Sequence, residues 1–169
     1  MKAIMISISP QYIEKILNGG KTIEIRKTKP KCELPCKVYI YCTMPNKQEN
    51  RKPHSWEVVW LKRVVAEFTL NKVDILERDL NDWLPKNRYD VSNELLKDIN
   101  LNQNELWNYG QGKTLYAWYI DDLKIYDKPK YLSDFTRIID NSSGFWHYCH
   151  REKVTRPPQS WMFVDNLEE

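Results

Sequence analysis

The residues best suited to chemistry lie in a short polar segment near the N-terminus. Lys21, Glu24 and Arg26 occur there within a Gly-x-Lys-x-x-Glu-x-Arg pattern. A guanidinium offers paired donors to a phosphate or a base edge, an ammonium adds a point charge, and a carboxylate accepts from an exocyclic amine. These three groups together are chemically suited to bind one nucleotide.

A strand is needed to bring these side chains together. The alternation over Thr22 to Arg26 puts Ile23 and Ile25 on one face and the polar residues on the other, because successive side chains of a strand point to opposite faces. We therefore expect Thr22, Glu24 and Arg26 to project together. In the alternative interpretation, Glu24 and Arg26 only pair with each other or with neighbouring strands, as exposed charges commonly do.

The segment before this strand predicts a strand followed by a helix. Alternating isoleucines from Ile4 to Ile8 are typical of a half-buried strand. Ser9 then suits an N-cap and Pro10 the first helical position. The pair Gly19-Gly20 predicts that the helix has ended by that point.

The remaining pattern predicts further strands and an inserted helical segment. Strands are expected over 38–43, 64–70, 115–126 and 160–164, and short helices over 75–84, 91–100 and 102–110. Asn102 and Glu105 have the spacing of a capping box, and Gly110 suits a helix C-cap. Residues 128–158 are expected to form a long loop.

Length and composition favour one domain over residues 1–169. The chain is 41% hydrophobic and 29% charged, a balance typical of a globular protein with its own core. No apolar run approaches the length of a membrane span, and the N-terminus lacks the features of a secretory signal. We therefore expect a cytoplasmic protein whose four cysteines are not in disulfides.

The charge is unevenly distributed along the chain. Residues 1–73 hold 14 Lys and Arg against 6 Asp and Glu, whereas residues 74–169 hold 12 against 17. A basic first half attracts phosphate-bearing partners, although a merely solubilising surface gives the same count.

The Gly-x-Lys-x-x-Glu-x-Arg segment, with the strand-Ser-Pro-helix before it, resembles the signature of ASCH domains of the PUA-like superfamily. The strand over 38–43 and the closing Pro157-Pro158-Gln159-Ser160-Trp161 extend the resemblance. It implies an α+β fold, a small mixed PUA-like β-barrel of about five to six strands flanked by short helices. It also implies a basic cleft lined by Lys21, Glu24 and Arg26 that binds RNA, a modified nucleobase or a nucleotide.

Other residues are candidates for the walls of that cleft. Aromatic side chains near loops can stack on bases, although packing is the more frequent role of a tryptophan. Two prolines fix the entry to the final strand and so can present Gln159 to the ligand. The further candidate ligand-binding residues are Ser9, Tyr41, Gln159, Ser160 and Trp161, and the loop tryptophans include Trp56, Trp60 and Trp146.

Three other functions remain open. Some superfamily relatives look like amidohydrolases that act on acylated cytidine with a Lys-activated Thr, but the matching position here is Glu24. Thr22 could substitute as nucleophile, or Glu24 could act as base with Lys21 stabilising the oxyanion. A ribonuclease could use the loop histidines, which are His54, His147 and His150. A third alternative is a protein-interaction adaptor built on the helical insertion at about 75–110.

A zinc site is a weak alternative. Cys32 and Cys36 have zinc-compatible spacing, and Cys149 and His150, with His147 beside them, could complete the ligands. The second group lacks the usual knuckle spacing, and small buried thiols are common. We expect no metal and no cofactor.

Overall fold

The computed structural model describes residues 2–45, 54–55, 57–81, 87–142 and 147–167, with backbone alone at 140–142 and 147–148. The chain divides into two compact units. The first consists of Met1–Glu14, Cys36–Thr69 and Asp122–Glu169, and the second of Lys15–Pro35 and Leu70–Asp121. No helix in the described ranges is long and apolar enough to cross a membrane.

The described residues form a strand-rich α+β fold. The ten strands are β1 (Lys2–Ile8), β2 (Ile23–Arg26), β3 (Cys36–Cys42), β4 (Val64–Leu70), β5 (Val73–Leu76), β6 (Leu115–Tyr119), β7 (Asp121–Lys130), β8 (Thr136–Ser142), β9 (His147–Lys153) and β10 (Trp161–Asp165). The three α-helices are α1 (Pro10–Leu17), α2 (Asn93–Ile99) and α3 (Gln103–Gly110). Short 3-10 helices cover Glu57–Val59 and Leu132–Asp134.

The first unit is built on a seven-stranded sheet in the order β7-β4-β3-β1-β10-β8-β9. The central strand β1 pairs parallel with β3 and antiparallel with β10. The strands β1 and β3 form where they were predicted, but the half-buried pattern predicted for β1 is wrong, because both strands are buried on both faces at the centre of the sheet. Met5 and Tyr39 enter an apolar cluster that also includes Phe135. Tyr39 and Phe135 pack edge to face with ring centroids 4.9 Å apart.

The second unit is a three-stranded antiparallel sheet in the order β2-β6-β5 with α2 and α3. Its core contains Ile23 and Ile25 from β2, Ala117 from β6 and Ile99 and Leu106 from the helices. Burying the apolar face of β2 in this cluster leaves Glu24 and Arg26 on the opposite face. This confirms the predicted alternation of the polar segment.

The caps of the second unit follow from the sequence. Asn102 accepts from the Glu105 amide at 2.9 Å and Glu105 accepts from the Asn102 amide at 2.8 Å, which confirms the predicted capping box. The predicted C-cap role of Gly110 is wrong. Gly110 is the last residue of α3, and the left-handed C-cap is Gln111 with φ 52°.

Gly110 is required for space. A Cβ at this position would lie 1.9 Å from the Tyr89 hydroxyl oxygen and 2.8 Å from Leu115 Cδ1. We expect Gly110→Ala to lower the free energy of unfolding by about 2 kcal/mol, because overpacking a filled core forces side chains off their rotamers. Urea denaturation measures this loss. The double variant Gly110→Ala/Tyr89→Leu should recover part of it, and an unchanged unfolding midpoint for Gly110→Ala would contradict the packing.

Several predicted elements are wrong. The expected loop over 128–158 contains β8 and β9, the expected strand over 115–126 is divided between β6 and β7, and the expected helix over 75–84 begins inside β5. The described residues contain ten strands, more than the five to six that were predicted. Strands β8 and β9 are rich in charged and polar residues, and β9 lies at the sheet edge, so they lack the apolar alternation that marks a half-buried strand.

Candidate functional site

Lys21 is held between the end of α1 and the start of β2. Gly19 has φ 77°, a left-handed conformation that glycine adopts without strain. The Lys21 amide then donates to the Lys15 carbonyl at 2.8 Å, and the Thr22 amide donates to the Asp98 carbonyl at 2.9 Å. These backbone bonds fix the position from which the Lys21 side chain extends.

The three charged residues of the motif converge. Lys21 Nζ lies 3.5 Å from Glu24 Oε2, and Arg26 Nε lies 3.3 Å from Glu24 Oε1. Lys21 Nζ also donates to the Ile99 carbonyl oxygen at 2.7 Å. Only 3% of Lys21, 9% of Glu24 and 7% of Arg26 is exposed. Glu24 and Arg26 therefore pair with each other, as the alternative interpretation expected, but as buried and not as exposed charges.

Two cations share one carboxylate in this cluster, which we call the charged cluster (Lys21, Glu24 and Arg26). Burial lowers the pKa of Lys21, and the Glu24 carboxylate opposes that shift. Arg26 and Lys15 lower the pKa further by charge repulsion. Desolvation outweighs the attraction of Glu24, so the net shift of the Lys21 pKa is downward.

Two aromatic residues of β6 lie opposite the charged cluster. In the antiparallel pairing, Glu24 faces Trp118 and Arg26 faces Tyr116, so these side chains share one sheet face. Trp118 is fully buried, and its indole N–H makes no hydrogen bond within the described part of the chain. Trp118 was not among the predicted site residues, although strand alternation already places it on one face of β6 with Tyr116.

Thr22 is not buried with the charged cluster. Its side chain is exposed, while its carbonyl accepts from the Ile120 amide at 2.9 Å. Its predicted nucleophilic role therefore stays a prediction that depends on a solvent-exposed hydroxyl.

The other candidate ligand-binding residues belong to the first unit. The Ser9 hydroxyl oxygen is buried and makes no hydrogen bond within the described ranges. Tyr41 is buried and lines a pocket, Gln159 is exposed, and Ser160 is half-buried. Trp161 packs edge to face on Phe163 with ring centroids 5.2 Å apart. Their contact with a ligand stays a prediction.

The histidines and loop tryptophans give little further support. His54 and His150 are exposed, and the side chain of His147 lies outside the described residues. Trp60 is half-buried, whereas Trp56 and Trp146 also lie outside the described residues. Nothing in these positions defines an acid and base pair for ribonuclease chemistry.

The candidate zinc ligands do not form a recognisable metal site. Among the residues that the structure describes, which include Cys32, Cys36, Cys149 and His150, no three His, Cys, Asp or Glu side chains are grouped to hold a metal ion. Cys32, Cys36, Cys42 and Cys149 form no disulfide in the part of the chain that the structure describes. Burial raises the pKa of Cys42 to about 12, so this thiol stays protonated and unreactive at neutral pH.

Comparisons with known proteins add evidence on the fold. No protein-family model and no curated protein matches this chain. The crystal structure of ASCH from Zymomonas mobilis is similar, with a TM-score of 0.58 and 19% identity, over 96% of this chain and 87% of that one. The chain has an ASCH-like fold. A Tyr-to-Phe variant of the Zymomonas mobilis protein aligns with a TM-score of 0.51 and 18% identity, over 98% of this chain and 91% of that one.

The ASCH-like fold confirms the resemblance that the Gly-x-Lys-x-x-Glu-x-Arg segment indicated. At this level of identity the likeness concerns the fold alone. The role of the charged cluster has to be argued from its own geometry.

Proposed function

We propose that this protein is an RNA-binding or nucleotide-binding module and that the charged cluster is the polar centre of its site. The observation that carries the proposal is that two cations are held almost entirely out of water beside one carboxylate. Lys21 Nζ and Arg26 Nε lie 3.5 and 3.3 Å from the Glu24 carboxylate, and each of the three residues is at most 9% exposed.

Buried cations are costly unless negative charge lies close to them. Taking a charge out of water costs several kcal/mol even after the protein relaxes. A ligand phosphate next to Arg26 and Lys21 lowers this cost and accepts hydrogen bonds from both side chains. The proposed ligand is therefore anionic at this point.

The residues opposite the charged cluster fit a base next to that phosphate. The half-buried Tyr116 supplies aromatic surface on this sheet face, and the fully buried Trp118 contributes an indole N–H donor that makes no hydrogen bond among the described residues. Glu24 can accept from an exocyclic amine of a base, while aromatic faces stack on bases. These groups support the predicted basic, aromatic-walled cleft.

The rest of the chain is consistent with an RNA partner. The basic first half attracts a phosphate backbone. Because the similar ASCH structure aligns with nearly the whole chain, we propose that residues 1–169 form one ASCH-like domain. Its cytoplasmic location stays a prediction from the sequence. The finer description as a PUA-like barrel with the charged cluster at its cleft is part of this proposal.

Salt dependence of RNA binding tests the proposal. We expect the dissociation constant of a labelled single-stranded RNA, measured by fluorescence anisotropy, to rise at least about tenfold between about 50 and 200 mM salt, because bound phosphates release counterions on complex formation. A neutral peptide-backbone analogue of the same base sequence is the control and should bind much more weakly. Absence of RNA binding at low salt would contradict the proposal.

A hydrolase acting on a modified nucleoside is the second candidate. The observation that favours it is the lowered pKa of Lys21, since a desolvated lysine can act as a base near neutral pH. Both oxygens of Glu24 are already engaged by cations, which favours binding over a role as base. Turnover of acylated cytidine that is lost in Glu24→Ala would replace the binding proposal with this one.

A further inference from the structure

A pocket lies within the first unit, and its lining residues include no member of the charged cluster. Its volume is about 460 Å³, which is within the usual range for small-ligand sites. Leu132 and Pro157 give it apolar walls, while Tyr41, Thr43, Thr155 and Lys62 contribute polar groups. Such a mixture suits a ligand with one flat apolar part and one anionic group.

Lys62 is held at this pocket by a strained backbone. Its φ is 58°, a left-handed conformation that a long side chain rarely adopts and that costs about 1 kcal/mol or more. The Lys62 amide donates to the Cys42 carbonyl at 2.9 Å, and the Cys42 amide donates to the Arg63 carbonyl at 2.8 Å. These two bonds fix the turn that presents the Lys62 ammonium.

A buried carboxylate stabilises the same turn. Glu57 is 1% exposed, accepts from the His54 amide at 2.8 Å, and its carbonyl accepts from the Leu61 amide at 3.1 Å. A buried charge and a strained residue in one short turn are expected where position matters more than stability.

Arg63 and Tyr131 are the sequence neighbours of the lining residues Lys62 and Leu132. The Arg63 guanidinium lies 4.0 Å from the ring centroid of Tyr131, and this ring is 55% exposed, so part of its surface is open to a base. Burial raises the pKa of Tyr41, and Arg63 opposes that shift. Its phenol therefore stays protonated at neutral pH and can donate a hydrogen bond into the pocket.

We propose that this pocket binds one nucleotide unit, with the phosphate on Lys62 and Arg63 and the base against Leu132, Pro157 and the ring of Tyr131. The inference rests on the proposed RNA-binding function, because it gives the same ligand a second subsite. It assigns roles to Lys62, Arg63 and Thr155 that the ASCH-like motif does not include.

Mononucleotide titration in an Arg26→Ala background isolates this pocket from the charged cluster. The probes are the four ribonucleoside 5′-monophosphates and inorganic phosphate, followed by calorimetry. We expect Lys62→Gln to weaken nucleotide binding at least about tenfold, as expected for loss of a charged hydrogen bond, and Thr155→Trp to weaken it similarly by filling the pocket. Lys128→Gln removes an exposed positive charge from the same unit and should leave the affinity unchanged.

The outcomes separate this inference from the proposed function. Nucleotide binding that is insensitive to both pocket variants, or phosphate binding as tight as nucleotide binding, would overturn the pocket assignment. Loss of RNA affinity in Arg26→Ala with no loss in Lys62→Gln would support the charged cluster and contradict the pocket. Loss of RNA affinity in Lys62→Gln with no loss in Arg26→Ala would support the pocket and contradict the charged cluster.

Discussion

Arg26→Ala is expected to lower the affinity for single-stranded RNA by about 30-fold. Truncating one partner of a buried charge pair between a protein and its ligand weakens the binding free energy by about 2 kcal/mol or more. A loss of about 2 kcal/mol corresponds to a roughly 30-fold higher dissociation constant. The fold should survive, because the variant leaves Lys21 paired with Glu24 at 3.5 Å and makes the charged cluster neutral. Fluorescence anisotropy with a short labelled RNA measures the affinity, and circular dichroism verifies the fold.

Lys29→Ala is the matched control for this prediction. Lys29 is an exposed cation in the basic loop that follows β2, so its loss removes the same unit charge close to Arg26 in sequence. An exposed phosphate contact contributes much less than a desolvated one, and we expect at most about a threefold loss. Equal losses for Arg26→Ala and Lys29→Ala would indicate diffuse electrostatic attraction and would contradict a defined site.

Glu24→Gln should destabilise the protein by about 3 kcal/mol, the largest stability effect that we expect in the charged cluster. The substitution preserves shape but removes the carboxylate that lies 3.5 Å from Lys21 Nζ and 3.3 Å from Arg26 Nε, and removing one partner of a buried ion pair costs about 3–5 kcal/mol. Urea denaturation of the unliganded protein provides the measurement.

Lys21→Met is the informative comparison for stability. This variant keeps the volume of the side chain, removes one buried cation and leaves the Glu24–Arg26 pair intact, but it also removes the hydrogen bond to the Ile99 carbonyl oxygen, so we expect a loss of only about 1 kcal/mol. Combining it with Glu24→Gln leaves one buried cation fewer than Glu24→Gln alone and should recover part of the loss. A Lys21→Met variant as unstable as Glu24→Gln would mean that the Lys21 ammonium is needed for the structure of the charged cluster.

The charged cluster was predictable from sequence because its geometry follows from local rules. A strand alternates its side chains, so Ile23 and Ile25 in the core force Glu24 and Arg26 to the other face. Gly19 and Pro10 delimit the preceding helix by their backbone preferences. The near-complete burial of all three charged residues was not predictable, since burial depends on distant segments.

The elements that the sequence did not predict are those whose pairing is set by tertiary contacts. Strands β8 and β9 have polar sequences with little apolar alternation, and β5 is only four residues long. The role of Gly110 depends on Tyr89 and Leu115, which lie 21 and five residues away in the chain. Likewise, the register that places Trp118 opposite Glu24 depends on the pairing of β2 with β6.

The pKa of Lys21 with and without RNA tests the central claim most directly. A nuclear magnetic resonance titration of the labelled Nζ and Cε atoms reports it. We expect a pKa below the ordinary lysine value in the free protein and a rise when RNA binds, because a phosphate next to the ammonium favours its charged form. A Lys21 pKa that RNA leaves unchanged, at RNA concentrations that saturate the protein, would contradict phosphate binding at the charged cluster.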